Sequence, residues 1–307
     1  MTVLITGATG LVGKAIVKQC HAQGISVHYL STSKDKIEAT ENYKGFYWNP
    51  AKQEIDINCF NGVDAIINLA GASISKRWTK AYKEKILSSR LESLQLLKTT
   101  IQKENIKINQ LISASAIGIY PDSLTNYYEE NYEGFSSNFL GEVTKQWEKA
   151  ADSFLEIGVL VTKIRIGLVL DNNEGALPQL IKPINFGFGA ALGSGFQWQS
   201  WIHKKDLARI FMHLLEHNLE GVFNAVAPNP VSNQELTRVI AKTLKKPLIL
   251  PNIPSLFLKL ILGEMHLLLV ESQRVSSNKI EAEGFNFNYP NLLPALENLL
   301  DSHKKAI

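Results

Sequence analysis

Cysteine is nearly absent. Cys20 and Cys59 are the only two in 307 residues, far apart and in no C-x-x-C pair, which leaves no basis for a disulfide framework or a zinc site. The chain also lacks a large excess of either charge. Its net charge is +3 and its basic residues are scattered, so nucleic acid is not an expected partner. The seven histidines show no H-E-x-x-H spacing, and no metal is expected. No uninterrupted apolar run reaches the roughly eighteen residues of a membrane span. The nearest approach, Ile253 to Val270, is broken by Lys259, Gly263, Glu264 and His266. It reads as packing helices of a soluble domain, with a membrane-surface helix as the alternative, and no membrane partner is expected. The opening MTVLITG carries no charged leader, and the expected location is cytoplasmic. What remains is 45% apolar and 20% charged residues, the composition of a soluble globule long enough for one large domain or two modest ones.

The most informative stretch is VLITGATGLVG, Val3 to Gly13. Apolar residues lead into Gly7, Gly10 and Gly13 at a spacing of three, and Leu11, Val12, Ala15, Ile16 and Cys20 then recur at helical intervals. This is a strand, a glycine turn and a helix. Such a turn aims backbone N–H groups at an anion, and the helix N-terminus adds roughly half a positive charge. Glycine is needed where a side chain would block a pyrophosphate or hold the helix off the strand. The position between strand and helix points to a dinucleotide.

The first half alternates apolar runs with helical patterns. Strands are expected at Val27 to Leu30, Gly45 to Trp48, Ala65 to Leu69, Leu111 to Ala114 and Val159 to Ile164. Helices are expected after the fourth strand, with Ile86, Leu87, Leu91, Leu94, Leu97 and Ile101 on one side, and over Phe139 to Ile157. This alternation predicts an α/β fold, a doubly wound parallel sheet of Rossmann type, with the ligand beyond the carboxyl ends of the strands. Residues 171–200 are rich in glycine and aromatics without a long periodic segment. Phe223 to Val226 returns as a strand, and helical segments broken by Pro247, Pro251, Pro254 and Gly263 follow. The expected division is a nucleotide-binding domain of residues 1–170 and 201–227, with a smaller C-terminal substrate lobe of residues 171–200 and 228–307. The expected partner is a small-molecule substrate held in a cleft between them.

Several motifs stand in a fixed order: TGATGLVG at Thr6 to Gly13, GVDAIINLAG at Gly62 to Gly71, SASAIGIYP at Ser113 to Pro121, RIGLVL at Arg165 to Leu170 and WIHKKDLA at Trp201 to Ala208. Together they resemble the extended short-chain dehydrogenase/reductase superfamily. KRW at Lys76 to Trp78, SSR at Ser88 to Arg90, GSGFQWQSWIH at Gly193 to His203 and FNAVAPNPVSNQEL at Phe223 to Leu236 resemble its divergent "epimerase family protein" branch, related to NAD-dependent epimerases and dehydratases. The resemblance implies a nicotinamide cofactor. It implies cofactor contacts from Gly7, Thr9, Gly10, Leu11, Val12 and Gly13, from Leu69, Ala70 and Gly71, from Arg90, and from Ile166, Gly167 and Leu168. A surface role for Arg90 stays open. A homodimer is left open as the oligomeric state.

Cofactor choice is set at the end of the second strand, where a carboxylate binds the ribose hydroxyls of NAD and cations or hydroxyls accept the 2′-phosphate of NADP. Here Ser31, Thr32, Ser33 and Lys34 precede the first carboxylate, Asp35. Hydroxyls and a lysine donate to a phosphate that a carboxylate repels, so NADP is expected ahead of NAD. The branch often carries an arginine at the position of Thr32, and this chain does not.

Short-chain reductases carry a Tyr with a Lys four residues later, a pair that exchanges a proton with the substrate oxygen. None of the nine tyrosines has Lys at i+4. Aligned on Glu148, the Tyr position holds Leu140 and the Lys position Thr144. Lys145 lies one residue on, turned about 100° around the helix. The resemblance leaves Ser115 to bond a substrate oxygen, with Tyr120 or His203 as the proton partner; each also has a purely structural alternative. Arg77, Trp78, Gln197 and Trp201 are the expected substrate residues, since aromatic faces with amide donors suit a sugar, and core packing is the alternative for the tryptophans. Three functions stay open. One is an NADP(H)-dependent oxidoreductase or epimerase-like enzyme on a small polar substrate of sugar-derived type. Another is a catalytically silent NADP(H)-binding regulator or interaction protein. The third is a module whose glycine turn binds nothing.

Overall fold

Strand β1 (Thr2–Thr6) buries Val3, Leu4 and Ile5, as a strand covered on both faces must. The protein is described by a computed structural model covering residues 1–301. Helix α1 (Leu11–Ala22) turns Ile16 and Cys20, one helical turn apart, into the core, where the Cys20 thiol meets Met212 Sδ at 3.7 Å. Strands β2 (Ser26–Ser31) and β3 (Tyr43–Asn49) follow, and the short β4 (Glu54–Ile55) folds back antiparallel on β3. Strand β5 (Ala65–Asn68) leads to α2 (Lys80–Lys103), capped by the Thr79 hydroxyl and burying Ile86, Leu94, Leu97 and Ile101. Next come β6 (Gln110–Ala116), β7 (Tyr127–Tyr128), α3 (Phe139–Asp152) and β8 (Leu160–Ile166). The chain continues through β9 (Leu168–Leu170), α4 (Ala176–Asn185), β10 (Trp198–Gln199), β11 (Trp201–His203), α5 (Lys204–Glu216) and β12 (Gly221–Ala225). It ends with β13 (Val231–Ser232), α6 (Asn233–Thr243), α7 (Ser255–Leu262), α8 (Leu267–Val270), β14 (Arg274–Val275), α9 (Asn278–Ala282) and α10 (Leu292–Asp301).

Eight strands form one sheet in the order β12-β8-β6-β5-β1-β2-β3-β4. β1 pairs in parallel with β2 on one side and β5 on the other. The order therefore reverses between β1 and β5, and in an open α/β sheet the ligand crevice opens at the carboxyl ends of the strands flanking such a reversal. The fold class expected from the alternation is the one observed.

The chain divides into two compact units. The first holds residues 1–116, 138–165 and 208–223, and the second residues 117–137, 166–207 and, among the described residues, 224–301. The second has its own core, in which Leu177 and Ile184 of α4, Leu236 and Ile240 of α6, and Leu296 and Leu299 of α10 surround Trp201. Its strands pair only as short ladders, β10 with β13, β9 with β11 and β7 with β14. One expectation is corrected: residues 171–200 contain α4. Its apolar face is broken in sequence by Pro178 and Pro183, yet Pro178 sits in the first turn, where a missing N–H costs nothing, and Pro183 lies two residues from the end.

Candidate nucleotide site and its surroundings

The turn after β1 is built from glycine for two different reasons. Gly7 takes φ +72°, a left-handed conformation that L side chains rarely adopt. A Cβ on Gly13 would stand 2.3 Å from the Gly7 carbonyl oxygen and 2.6 Å from Ala8 Cα, so only hydrogen lets α1 approach the turn. Gly10 differs: it is exposed, and a Cβ there would meet only the Gly7 oxygen, at 3.3 Å. Gly10 is the N-cap of α1, no side chain caps the helix, and its first turn carries no acidic residue. Helix-start amides that no side chain occupies are donors for an anion.

The neighbouring strand ends are tied by polar side chains. Thr6 donates its hydroxyl to Asn68 Oδ1 at 2.8 Å and accepts the backbone N–H groups of Leu69 and Ala70, both at 3.0 Å. Asn68 donates to Ser113 Oγ at 3.2 Å, and Ser113 donates to the Ala114 carbonyl at 3.2 Å. The buried Thr6, Asn68 and Ser113 thus lock β1, β5 and β6 where the ligand crevice begins. Thr6 and Asn68 are not among the expected site residues, and what marks them in the sequence is a polar residue inside an otherwise apolar strand.

Arg90 is not a surface residue. Its Nη1 donates to the carbonyls of Ile86 (2.7 Å) and Ala72 (3.3 Å), and its guanidinium stacks on Trp147 at 4.8 Å. Burial pulls its pKa down to about 10, so it stays charged at neutrality. A Cβ on Gly71 would come 2.9 Å from Arg90 Cζ. Arg90 therefore shapes the loop after β5 from behind. At the end of β2, Ser31 Oγ accepts from Ser33 N (3.1 Å) and donates to Ser33 O (2.9 Å), Thr32 and Lys34 are exposed, and Lys34 Nζ lies 5.2 Å from the Tyr47 ring centroid. Trp78 is buried edge-on against Phe139 and donates to the Ile74 carbonyl, while Arg77 is exposed.

Ser115, near the end of β6, donates to Glu148 Oε1 at 2.6 Å, and Glu148 takes Arg165 Nε at 2.9 Å and Nη2 at 3.0 Å. Burial alone would raise the Glu148 pKa, but the Arg165 bonds and charge and the Ser115 bond outweigh it, and Glu148 is held below the usual carboxylate range. Ser115 is buried and has committed its proton to Glu148. Glu148, which the sequence supplied only as an alignment anchor, is the centre of this cluster.

The other expected site residues lie in the second unit. Tyr120 is fully buried, its hydroxyl reaching Asn224 Oδ1 at 2.8 Å and the Glu129 carbonyl at 3.2 Å. Gln197 donates to the carbonyls of Leu192 and Leu269 at 2.8 and 3.0 Å, and the fully buried Trp201 donates to that of Asn229 at 3.0 Å. The Gln197 Nε2 and the Trp201 indole N–H are spent on backbone and Gln197 Oε1 accepts from Ser194 Oγ at 3.3 Å, which places both side chains in the packing of the second unit, the alternative to a substrate surface. Gly167 admits a close backbone crossing: a Cβ would sit 2.3 Å from the Ser200 carbonyl oxygen, and Leu168 N donates to that oxygen at 2.8 Å, with Ile166 and Leu168 half-buried on either side.

His203 accepts from Lys205 N at Nδ1 and stacks on Tyr289 with centroids 4.0 Å apart. Burial, then the charges of Lys205 and Lys204, bring its pKa down to about 4. It is neutral at physiological pH and cannot serve there as an acid. Unfolded chain takes up this proton near pH 6.5, so stability falls as pH drops from about 6.5 to about 4, by about 3 kcal/mol at the lower end. His203→Gln should flatten that slope in urea midpoints measured across this window; an unchanged slope assigns the titration to another group.

Comparison with known proteins agrees with this geometry. The family model described as "NAD dependent epimerase/dehydratase family" matches residues 3–147, over the glycine turn, β5, β6 and most of α3. An epimerase family protein of Staphylococcus haemolyticus is 37% identical over 300 residues, covering 97% of this chain and 99% of its own. The chain belongs to the epimerase family proteins. The human epimerase family protein SDR39U1 (isoform 2), solved with NADPH, is 30% identical with a TM-score of 0.84, covering 98% of this chain and 99% of its own. The UDP-glucuronic acid 4-epimerase of Bacillus cereus, solved with UDP-glucuronic acid and NAD, has a TM-score of 0.81 at 16% identity over the full length of both chains, a likeness of fold alone. A second model, "Domain of unknown function (DUF1731)", matches residues 253–299. On α3 the pair expected of short-chain reductases is absent. The positions of the Tyr–Lys pair hold Leu140 and the buried Thr144, whose hydroxyl donates to the Leu140 carbonyl at 2.8 Å, while Lys145 is exposed.

Proposed function

We propose that this chain is an NADP(H)-dependent, epimerase-like oxidoreductase acting on a small polar, sugar-derived substrate. The observation that carries the reading is the open, uncapped glycine turn at the β1–β5 reversal. Gly10 and the first amides of α1 would hold the diphosphate, with Gly7 and Gly13 shaping the turn. Leu69, Ala70 and Gly71 would line the cofactor. Thr32, Ser33 and Lys34, with no carboxylate before Asp35, favour the 2′-phosphate of NADP, in keeping with the NADPH of the human relative. When bound, the nicotinamide supplies hydride exchange with a carbon bearing oxygen. Ser115 accepts a hydrogen bond from the substrate hydroxyl, its own proton fixed on Glu148. Tyr120 and His203 are left out of the chemistry because the one is bonded within the core and the other is neutral and packed on Tyr289.

A second reading, a cofactor-binding regulator without turnover, is favoured by one observation: the Leu140 and Thr144 positions offer no proton relay, a loss on the order of 10²–10⁴ in rate. The two are separated by titrating purified protein with NADPH and NADH, then following NADPH oxidation with a panel of carbonyl compounds and sugar nucleotides. The enzyme reading expects tighter NADPH binding, turnover with at least one compound, and a fall of roughly tenfold or more in kcat/KM for Ser115→Ala at unchanged NADPH affinity. Retained NADPH with no oxidation across the panel supports the regulator. Absence of binding removes both.

A further inference from the structure

We infer that the second unit carries a docking face for an anionic lipid surface, formed by residues 182–196 and 242–262. These stretches run side by side: Ile253 N donates to Ala191 O and Gly193 N to Ile253 O, both at 2.8 Å, and a Cβ on Gly189 would lie 2.7 Å from Leu248 Cδ2. Together they expose Phe186, Phe188, Ile249, Leu256, Phe257 and Leu260, each between 55% and 76% accessible. Single exposed apolar side chains are ordinary, but a cluster of large ones marks an interaction surface. Helix α7 is apolar at every position except Ser255 and Lys259, and Leu258 is its only buried residue. It does not pack as the sequence reading expects of residues 253–270.

Charge selects the occupant. The two stretches contain Lys182, Lys242, Lys245, Lys246 and Lys259, all exposed, and no Asp or Glu. None of the five forms an ion pair with a described residue. A two-fold contact between copies of this face would oppose five cations to five cations. Phenylalanine and leucine seated at the headgroup boundary, with lysines among the headgroups, instead match an anionic bilayer surface. No helix among the described residues is long and apolar enough to cross a membrane, so the attachment is to one leaflet and reversible.

The full chain is tested by co-sedimentation with phosphatidylglycerol–phosphatidylcholine vesicles and with phosphatidylcholine alone. The expected result is binding to the anionic vesicles, weakened by salt, and reduced on the order of tenfold or more by Leu256→Ser/Leu260→Ser and by Lys245→Glu/Lys246→Glu. Both variants change only exposed side chains, and their urea midpoints and NADPH affinity should match those of the parent. No binding to anionic vesicles overturns the inference, as does binding indifferent to both variants. A concentration-dependent dimer abolished by Leu256→Ser/Leu260→Ser assigns the face to a second copy and overturns it too, and so does binding to an acidic protein without binding to vesicles.

Discussion

Gly10→Val should abolish nicotinamide cofactor binding while leaving the fold intact. Gly10 has φ −82° and ψ 176°, values open to any residue, and its added Cβ would meet only one atom, the Gly7 oxygen at 3.3 Å. Valine is therefore tolerated by the turn but places two methyl groups in front of the first amides of α1. If two charge-assisted hydrogen bonds to a diphosphate are lost, at about 1.5–3 kcal/mol each, affinity falls by more than about 100-fold. The control is Gly13→Ala, where the clash is with backbone inside the protein and stability is lost along with binding. NADPH fluorescence titration beside thermal unfolding distinguishes the two. Unchanged affinity in Gly10→Val would refute the diphosphate assignment.

The second large effect is on stability. Glu148→Ala should cost about 3–5 kcal/mol, because it strands the buried Arg165 charge and leaves Ser115 without its acceptor. The cost comes from breaking the pair, not from a large net worth of the pair itself. Replacing both partners by methionine should accordingly recover much of the loss. The folded carboxyl is held below its ordinary value, so the contribution is present above the unfolded pKa of about 4.5 and disappears as pH falls through the lower folded value. Urea unfolding of the single and double variants at neutral pH checks the first point, and the same series toward pH 3 checks the second. A Glu148→Ala loss under about 1 kcal/mol would mean that water reaches Arg165.

The sheet was legible because continuous apolar runs such as Ala65 to Ile67 and Leu111 to Ile112 can satisfy burial on both faces only as strands inside helical layers. The glycine turn was legible because its spacing is local. The Ser115–Glu148–Arg165 cluster was not: its members lie 33 and 17 residues apart, and no short-range pattern announces a partner brought up by the fold. Gln197 and Trp201 misled because an amide beside an aromatic reads alike whether it faces a ligand or a backbone carbonyl. Helix α4 was hidden by its prolines, and the ladders of β7, β10 and β14 are too short to show a period. Residues 253–270 were apolar enough to imply burial, but apolarity alone does not say what covers a helix.

The described chain leaves and re-enters the first unit so that neither unit is an unbroken stretch; the path changes unit at five places between residues 116 and 224. No single cut of the chain therefore separates one unit from the other: a product stopping near residue 170 would lack β12, an edge strand of the sheet, and α5, whose Met212 meets Cys20. Each unit is completed only when chain from both sides of residue 170 has been made.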